Sequence, residues 1–140
     1  MAAIQLQLSD KPRTEHYANL ALDYDRNNIN ALQVLAALYR KSGETVMADK
    51  FIQTLSTLDP LSHFADFERY LLHNSSENLT RFTSSITNEL PYQTYLELGM
   101  IYYGYGLKDD ALAVFDKSPA HPLVAIWKAY LKDDASLLSE

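Results

Sequence analysis

Two stretches of the chain carry the same residue types at the same spacing, at a constant offset of 63 residues. LQVLAALYRKSGETVMADKFI aligns without a gap with YLELGMIYYGYGLKDDALAVF. The matched pairs are Leu35 with Leu98, Ala36 with Gly99, Tyr39 with Tyr102, Gly43 with Gly106, Ala48 with Ala111, and Ile52 with Phe115. Such internal similarity indicates a repeated module, and it restricts the fold more than composition does.

Each repeated stretch has the pattern of two helices joined by a tight turn. Apolar residues recur at three- and four-residue spacing on both sides of a central glycine. The small residues Ala36 and Gly99 predict a point where two helix backbones approach closely. Gly43 and Gly106 are expected to end the first helix of each pair in a left-handed conformation.

Helical periodicity broken by turn residues extends over the rest of the chain. A first helix is expected from about Arg13 to Asp25, with an apolar face formed by Tyr17, Leu20, Ala21 and Tyr24. Asn30 is a candidate cap for the second helix, and Asp59-Pro60 for the start of the fourth. Pro91 is expected to begin the sixth helix, Gly104 to end it, and Pro119 to stop the seventh.

Strand alternation is absent, so the sequence predicts an all-α fold. We expect a single helical repeat domain over 1–140, with approximate repeats at 1–28, 29–60, 61–90, 91–119 and 120–140, the first and last being partial. The last repeat keeps only apolar spacing, through Leu123, Ile126, Trp127, Tyr130 and Leu131.

The second stretch, Tyr95-x-x-Leu98-Gly99-x-x-Tyr102 followed by Ala111-x-x-x-Phe115, resembles the tetratricopeptide repeat (TPR) pattern. The first stretch, with Pro60, resembles it more loosely. The resemblance implies a right-handed α-solenoid of antiparallel helix pairs whose first helices line a groove. The chain departs from the pattern in two ways: the offset is about five residues short of two repeats, and Glu68 stands where a small residue is expected.

The segment HPLVAIWKAYL looks like the helical-repeat region of larger bacterial multidomain proteins that carry a sugar-related β-sandwich domain. A repeat array normally ends in polar capping faces, and neither end here has one. We therefore expect a piece of a longer array that can self-associate through its cut ends.

Composition restricts the partners. The net charge of −6 and the pI near 5.1 argue against a nucleic-acid ligand, which requires a concentrated basic surface. The chain has no cysteine, and no apolar run reaches the ~20 residues of a membrane span. The visible sequence shows no signal peptide, which favours the cytoplasm without fixing the compartment.

No pattern predicts catalysis, a cofactor or a metal site. The four histidines, His16, His63, His73 and His121, fall on different elements or outside metal-ligand spacing. Asp66 and Arg69 have the i, i+3 spacing of a surface ion pair. Asp109-Asp110 and Asp133-Asp134 are interpreted as charges at helix starts. We expect a protein that is not an enzyme.

The groove implied by the TPR resemblance gives the candidate binding residues. They lie on first helices and point away from the paired helix: Gln33, Ala37, Arg40, Asp66, Arg69, His73, Gln93, Leu96, Met100 and Tyr103. The Lys and Asn of the family's carboxylate clamp are missing, although Arg40 and Arg69 could meet an acidic group. Leu96, Met100 and Tyr103 form an apolar stripe that either binds a partner or is buried by neighbouring helices.

The expected function is a scaffold that binds a protein or peptide segment. The alternative is a structural spacer that packs against a sugar-related catalytic or binding domain elsewhere in the full-length protein.

Overall fold

A computed structural model describes residues 11–86 and 91–138. All regular secondary structure in these two ranges is α-helical, which confirms the all-α prediction. The helices are α1 Lys11–Tyr24, α2 Ile29–Lys41, α3 Thr45–Leu58, α4 His63–His73, α5 Ser76–Ser85, α6 Pro91–Gly104, α7 Lys108–Lys117 and α8 Pro122–Leu138. They form two compact units, the N-terminal unit Met1–Ser85 and the C-terminal unit Ile86–Glu140.

The N-terminal unit is built around α2. Every residue from Ala31 to Tyr39 is buried, because α1, α3 and α4 all contact this helix. The α5 helix packs against α4, and Phe82 of α5 places its ring 4.9 Å from that of Phe67. Phe67 and Phe82 are fully buried, so they hold the α4/α5 pair together.

The predicted apolar face of α1 is wrong at Tyr17, Leu20 and Tyr24 and correct only at Ala21. The buried residues of α1 are Thr14, Ala18 and Ala21, at i, i+4 and i+7. Small side chains on that face allow α1 to approach the densely packed α2. The larger Tyr17 and Tyr24 point outward instead, with exposed fractions of 43% and 98%.

In the C-terminal unit, α7 packs against both α6 and α8. The backbone of α6 touches the ring of Phe115 at Gly99, since a Cβ added to Gly99 would collide with that ring. Tyr95 and Tyr102 of α6 are buried, as the repeat alignment predicts for core positions. The close approach predicted at Gly99 is confirmed.

The two turns related by the 63-residue offset have the same geometry. Gly43 and Gly106 have φ angles of +77° and +80°. In the first turn Glu44 N donates to Tyr39 O at 2.9 Å, and in the second Leu107 N donates to Tyr102 O at 2.9 Å. Both turns are Schellman motifs, which confirms the predicted role of the glycines.

Two predicted helix starts are wrong by two to three residues. The cap of α2 is Asn28, whose side chain accepts from Ala31 N at 3.0 Å, and not Asn30. The cap of α4 is Ser62, whose hydroxyl accepts from Ala65 N at 3.1 Å. Asp59 instead ends α3 and accepts from Leu61 N at 3.0 Å, so Pro60 lies in the turn before α4.

The later helix boundaries follow the sequence more closely. Pro91 begins α6, Gly104 ends it, and α7 ends before Pro119, as predicted. Asp109 and Asp110 lie in the first turn of α7. Asp133 and Asp134 lie inside α8, so their interpretation as charges at a helix start is wrong. The predicted repeat boundary at residue 90 falls outside the described residues.

Within the described ranges, none of the helices combines the length and the apolar character that crossing a bilayer requires.

Candidate functional site

Three aromatic side chains meet on the surface of the C-terminal unit. Tyr103 comes from α6, and Trp127 and Tyr130 come from α8. The ring of Tyr103 lies 5.8 Å from that of Trp127 and 6.4 Å from that of Tyr130, and Trp127 and Tyr130 are 5.7 Å apart. All three pairs meet edge to face, at 61–84°. We call these three residues the aromatic cluster.

The helical period explains why these residues meet. Tyr103 shares one face of α6 with Met100 and Leu96, because positions i, i+4 and i+7 of a helix lie above one another. Trp127 and Tyr130 stand three residues apart on α8, so their rings also project from one face. Rings that meet edge to face place the electropositive edge of one against the electronegative face of another.

Apolar residues extend the aromatic cluster into a larger exposed surface. Tyr130 is 51% exposed, Ile126 is 63% exposed and Met100 is 39% exposed. Tyr103, Trp127 and Leu96 are half-buried. A partner that covered this surface would gain about 25 cal/mol for each Å² of apolar area removed from water.

The hydroxyl groups of the cluster remain able to form hydrogen bonds with a ligand. The hydroxyl oxygens of Tyr103 and Tyr130 lie 3.5 Å apart, which is long for a hydrogen bond between hydroxyl groups. That interaction with Tyr130 raises the pKa of Tyr103 above its usual value. Tyr103 is therefore a neutral phenol near pH 7 that can donate to a carbonyl oxygen.

The other C-terminal candidate, Gln93, lies on the exposed surface of α6. Its Nε2 donates to Oε1 of Glu97 at 3.2 Å, one turn further along the helix.

Arg40 and His73, which are predicted groove residues of the N-terminal unit, each pair with a carboxylate of another helix. Arg40 Nε lies 2.6 Å from Glu68 Oε2, and the Glu68 side chain is fully buried. His73 Nε2 lies 2.8 Å from Asp49 Oδ1 on α3. Gln33 and Ala37 are buried in α2. The acidic group that Arg40 meets is therefore one of the protein's own, and it stands at the repeat position where a small residue was expected.

Asp66 and Arg69 form the ion pair that their spacing predicts. Arg69 Nη1 lies 3.2 Å from Asp66 Oδ1, and Arg69 Nη2 donates to Ser56 Oγ at 2.9 Å. Both charged side chains are largely buried, at 17% and 14% exposure. The pair therefore belongs to a cavity wall and not to a solvated surface.

Sequence reasoning missed three residues that the structure makes prominent. Sequence patterns place Trp127 and Tyr130 only in the apolar spacing of the last repeat. Arg81, on α5, lies outside the predicted groove, which takes its residues from first helices only. A usable signal existed for the aromatic pair, since α8 carries more apolar residues than one buried stripe requires: Leu123, Ile126, Trp127, Tyr130 and Leu131. Only Leu131 of these five is buried.

The part of the chain that the structure describes contains no group of three or more His, Asp or Glu side chains positioned to hold a metal ion.

Comparison of the chain with protein-family models, with curated proteins and with solved structures found no match.

Proposed function

We propose that this chain is a non-enzymatic scaffold that binds a protein or peptide segment on the aromatic cluster of its C-terminal unit. The observation that carries the proposal is the aromatic cluster, in which Tyr130 is exposed and Tyr103 and Trp127 are half-buried, with the exposed Met100 and Ile126 on the same two helices. Aromatic residues are enriched at binding hot spots because they bring a large apolar area with little rotamer entropy.

In this proposal the helix pairs are TPR-like antiparallel repeats of a right-handed α-solenoid. The matching Schellman turns at Gly43 and Gly106 support repetition of the same module. The buried Ala36 and the tightly packed Gly99, at equivalent positions, support it further. As first helices of successive pairs, α6 and α8 would face the groove in which such repeats hold their ligands.

The chemistry of the cluster suggests the kind of segment that binds. Apolar side chains of the ligand would pack against Trp127 and Met100. The phenol groups of Tyr103 and Tyr130, and the indole N–H of Trp127, would donate hydrogen bonds to main-chain carbonyl oxygens. An extended or helical segment with few charges meets both requirements.

A peptide-library selection against the full chain tests this proposal. We expect selected peptides to bind Tyr130→Ala about tenfold or more weakly than the unchanged chain, since one hot-spot truncation costs about 2 kcal/mol. The matched control is Tyr24→Ala, which removes a tyrosine that is 98% exposed in the N-terminal unit. Binding that resists Tyr130→Ala, or that weakens equally with Tyr24→Ala, contradicts the proposal.

The alternative of a structural spacer is favoured by a different surface. The α1 helix exposes Tyr17, Leu20 and Tyr24, at 43%, 48% and 98%. An apolar face of this size suits packing against another domain of a longer polypeptide. Under the spacer hypothesis, library selection against the chain yields no peptide that depends on Tyr130.

A further inference from the structure

A polar cavity of about 570 Å³ lies between α3, α4 and α5 in the N-terminal unit. Ser56 lines it from α3, Asp66 and Arg69 line it from α4, and Arg81 and Ser84 line it from α5. The volume falls within the usual range for small-molecule sites. The proposed peptide surface uses none of these residues, so the cavity is a separate feature.

The guanidinium group of Arg69 is held in place at the cavity wall. Asp66 Oδ1 and Ser56 Oγ accept from its two terminal nitrogens, at 3.2 and 2.9 Å. An arginine offers five N–H donors, so this group can direct further donors into the cavity. A side chain that is already fixed loses little entropy when it binds a ligand.

Arg81 provides a second guanidinium group across the cavity from α4. Its side chain is exposed, and its charge acts on Asp66. Among the described residues, Arg81 makes no hydrogen bond or ion pair. Two arginines and one carboxylate leave the cavity wall with a net positive charge, although the whole chain carries −6.

We propose that this cavity binds a phosphomonoester group, held by Arg69, Arg81 and Ser56. Ser56, Arg69 and Arg81 line one cavity from three helices, and donors on several sides suit the tetrahedral oxygens of phosphate. A planar carboxylate needs only one arginine fork, and Asp66 already supplies a carboxylate to Arg69. The hydroxyl of Ser56 accepts from Arg69 and has its own proton left to donate to a phosphate oxygen.

Asp66 would oppose the bound phosphate and make binding depend on pH. Burial raises the pKa of Asp66, against the opposite influence of Arg69 and His63 on α4 and of Arg81 on α5. A phosphate in the cavity disfavours the charged carboxylate further. The uncharged variant Asp66→Asn is therefore expected to bind phosphate more tightly than the unchanged chain near pH 7.

A calorimetric titration of the full chain with phenyl phosphate tests the proposal. We expect saturable millimolar binding that weakens about tenfold in Arg81→Gln, because a charge-assisted contact to phosphate is lost. Arg81 is exposed, so this variant keeps the fold. The matched control is Arg26→Gln, which removes the same charge from an exposed site in the same unit.

Three outcomes would overturn the proposal. Absence of saturable binding removes the site, and equal weakening in Arg26→Gln shows a general charge effect only. Benzoate binding as tightly as phenyl phosphate shows that the cavity does not select phosphate. Binding that weakens only in Arg81→Gln and tightens in Asp66→Asn supports the site.

Discussion

Gly99 shows how one residue sets the distance between two helices. A Cβ added at this position would collide with the ring of Phe115. Even the Cδ1 atom of that ring would lie only 3.0 Å from the added Cβ. Phe115 is almost completely buried in α7, so its ring has little room to move. Gly104, five residues later on α6, has open space at the corresponding point.

We expect Gly99→Ala to lower the free energy of unfolding by about 1–3 kcal/mol, because the added methyl group overpacks the contact between α6 and α7. Gly104→Ala is the control, and it should leave stability unchanged or raise it slightly. The double variant Gly99→Ala with Phe115→Leu should recover part of the loss. Urea unfolding measures all three, and equal stabilities for the two alanine variants would contradict the packing.

The pKa of the Asp66 carboxyl group is raised by burial more than it is lowered by the positive charges of nearby arginines. Its pKa is raised above the ordinary value of 3.8. The folded state therefore holds the Asp66 proton more tightly than the unfolded chain does. The resulting stabilisation is fully present below pH 3.8 and is lost as the pH rises through the folded pKa.

The variant Asp66→Asn isolates this effect because the amide does not titrate in that range. We expect the free energy of unfolding of the unchanged chain, minus that of Asp66→Asn, to fall as the pH rises above 3.8. Urea unfolding at a series of pH values measures the difference. A difference that rises with pH would show that the ion pair with Arg69 outweighs burial.

At the scale of elements, an internal ion pair joins α2 to α4. Arg40 and Glu68 lie 2.6 Å apart, with side chains 12% and 0% exposed. Glu68 stands where the repeat pattern places a small residue that lets helices approach. The α2 and α4 helices therefore meet through a charged contact at this position.

We expect Arg40→Met to cost about 3–5 kcal/mol, because it leaves the charge of Glu68 in the interior. Adding Glu68→Leu should restore most of that loss, since the charge is then removed as well. A double-mutant cycle by urea unfolding measures both steps. A cost below about 1 kcal/mol for Arg40→Met would show that water reaches Glu68.

Sequence patterns predicted the turns better than the helix starts, because the backbone geometry of these turns depends on one residue type, glycine. Gly43 and Gly106 adopt positive φ angles, which other residues resist, so the turns could be located in advance. Helix starts were harder to predict, because several neighbouring polar residues can cap. Asn28 and Asn30 are both suitable N-cap residues for α2, and Asp59 and Ser62 are both suitable for α4. The residue type alone does not show which of the two is the cap.

Burial on the outer helices was also difficult to predict from periodicity. Apolar residues occur on two faces of α1 and α8, and the pattern alone does not show which face packs inward. On α1 the face with Ala18 and Ala21 is buried, since small residues approach α2 closely. The same ambiguity on α8 is the reason that Trp127 and Tyr130, two of the three residues of the aromatic cluster, could not be predicted as site residues.

At the scale of the whole molecule, the two compact units carry separate candidate sites. The predicted groove residues of the N-terminal unit are buried or paired within the protein, as Arg40 and His73 show. The partly exposed aromatic cluster lies in the C-terminal unit. Of the predicted stripe Leu96, Met100 and Tyr103, only Tyr103 makes ring contacts that link two helices.

The fluorescence of Trp127 tests the central claim directly, because it is the only tryptophan in the chain. Titration with a peptide selected against the full chain should shift the tryptophan emission to shorter wavelength, as the half-exposed indole ring loses water. The shift should saturate, and Tyr130→Ala should move its midpoint to about tenfold higher peptide concentration. A peptide that binds without changing the emission of Trp127 would contradict the account.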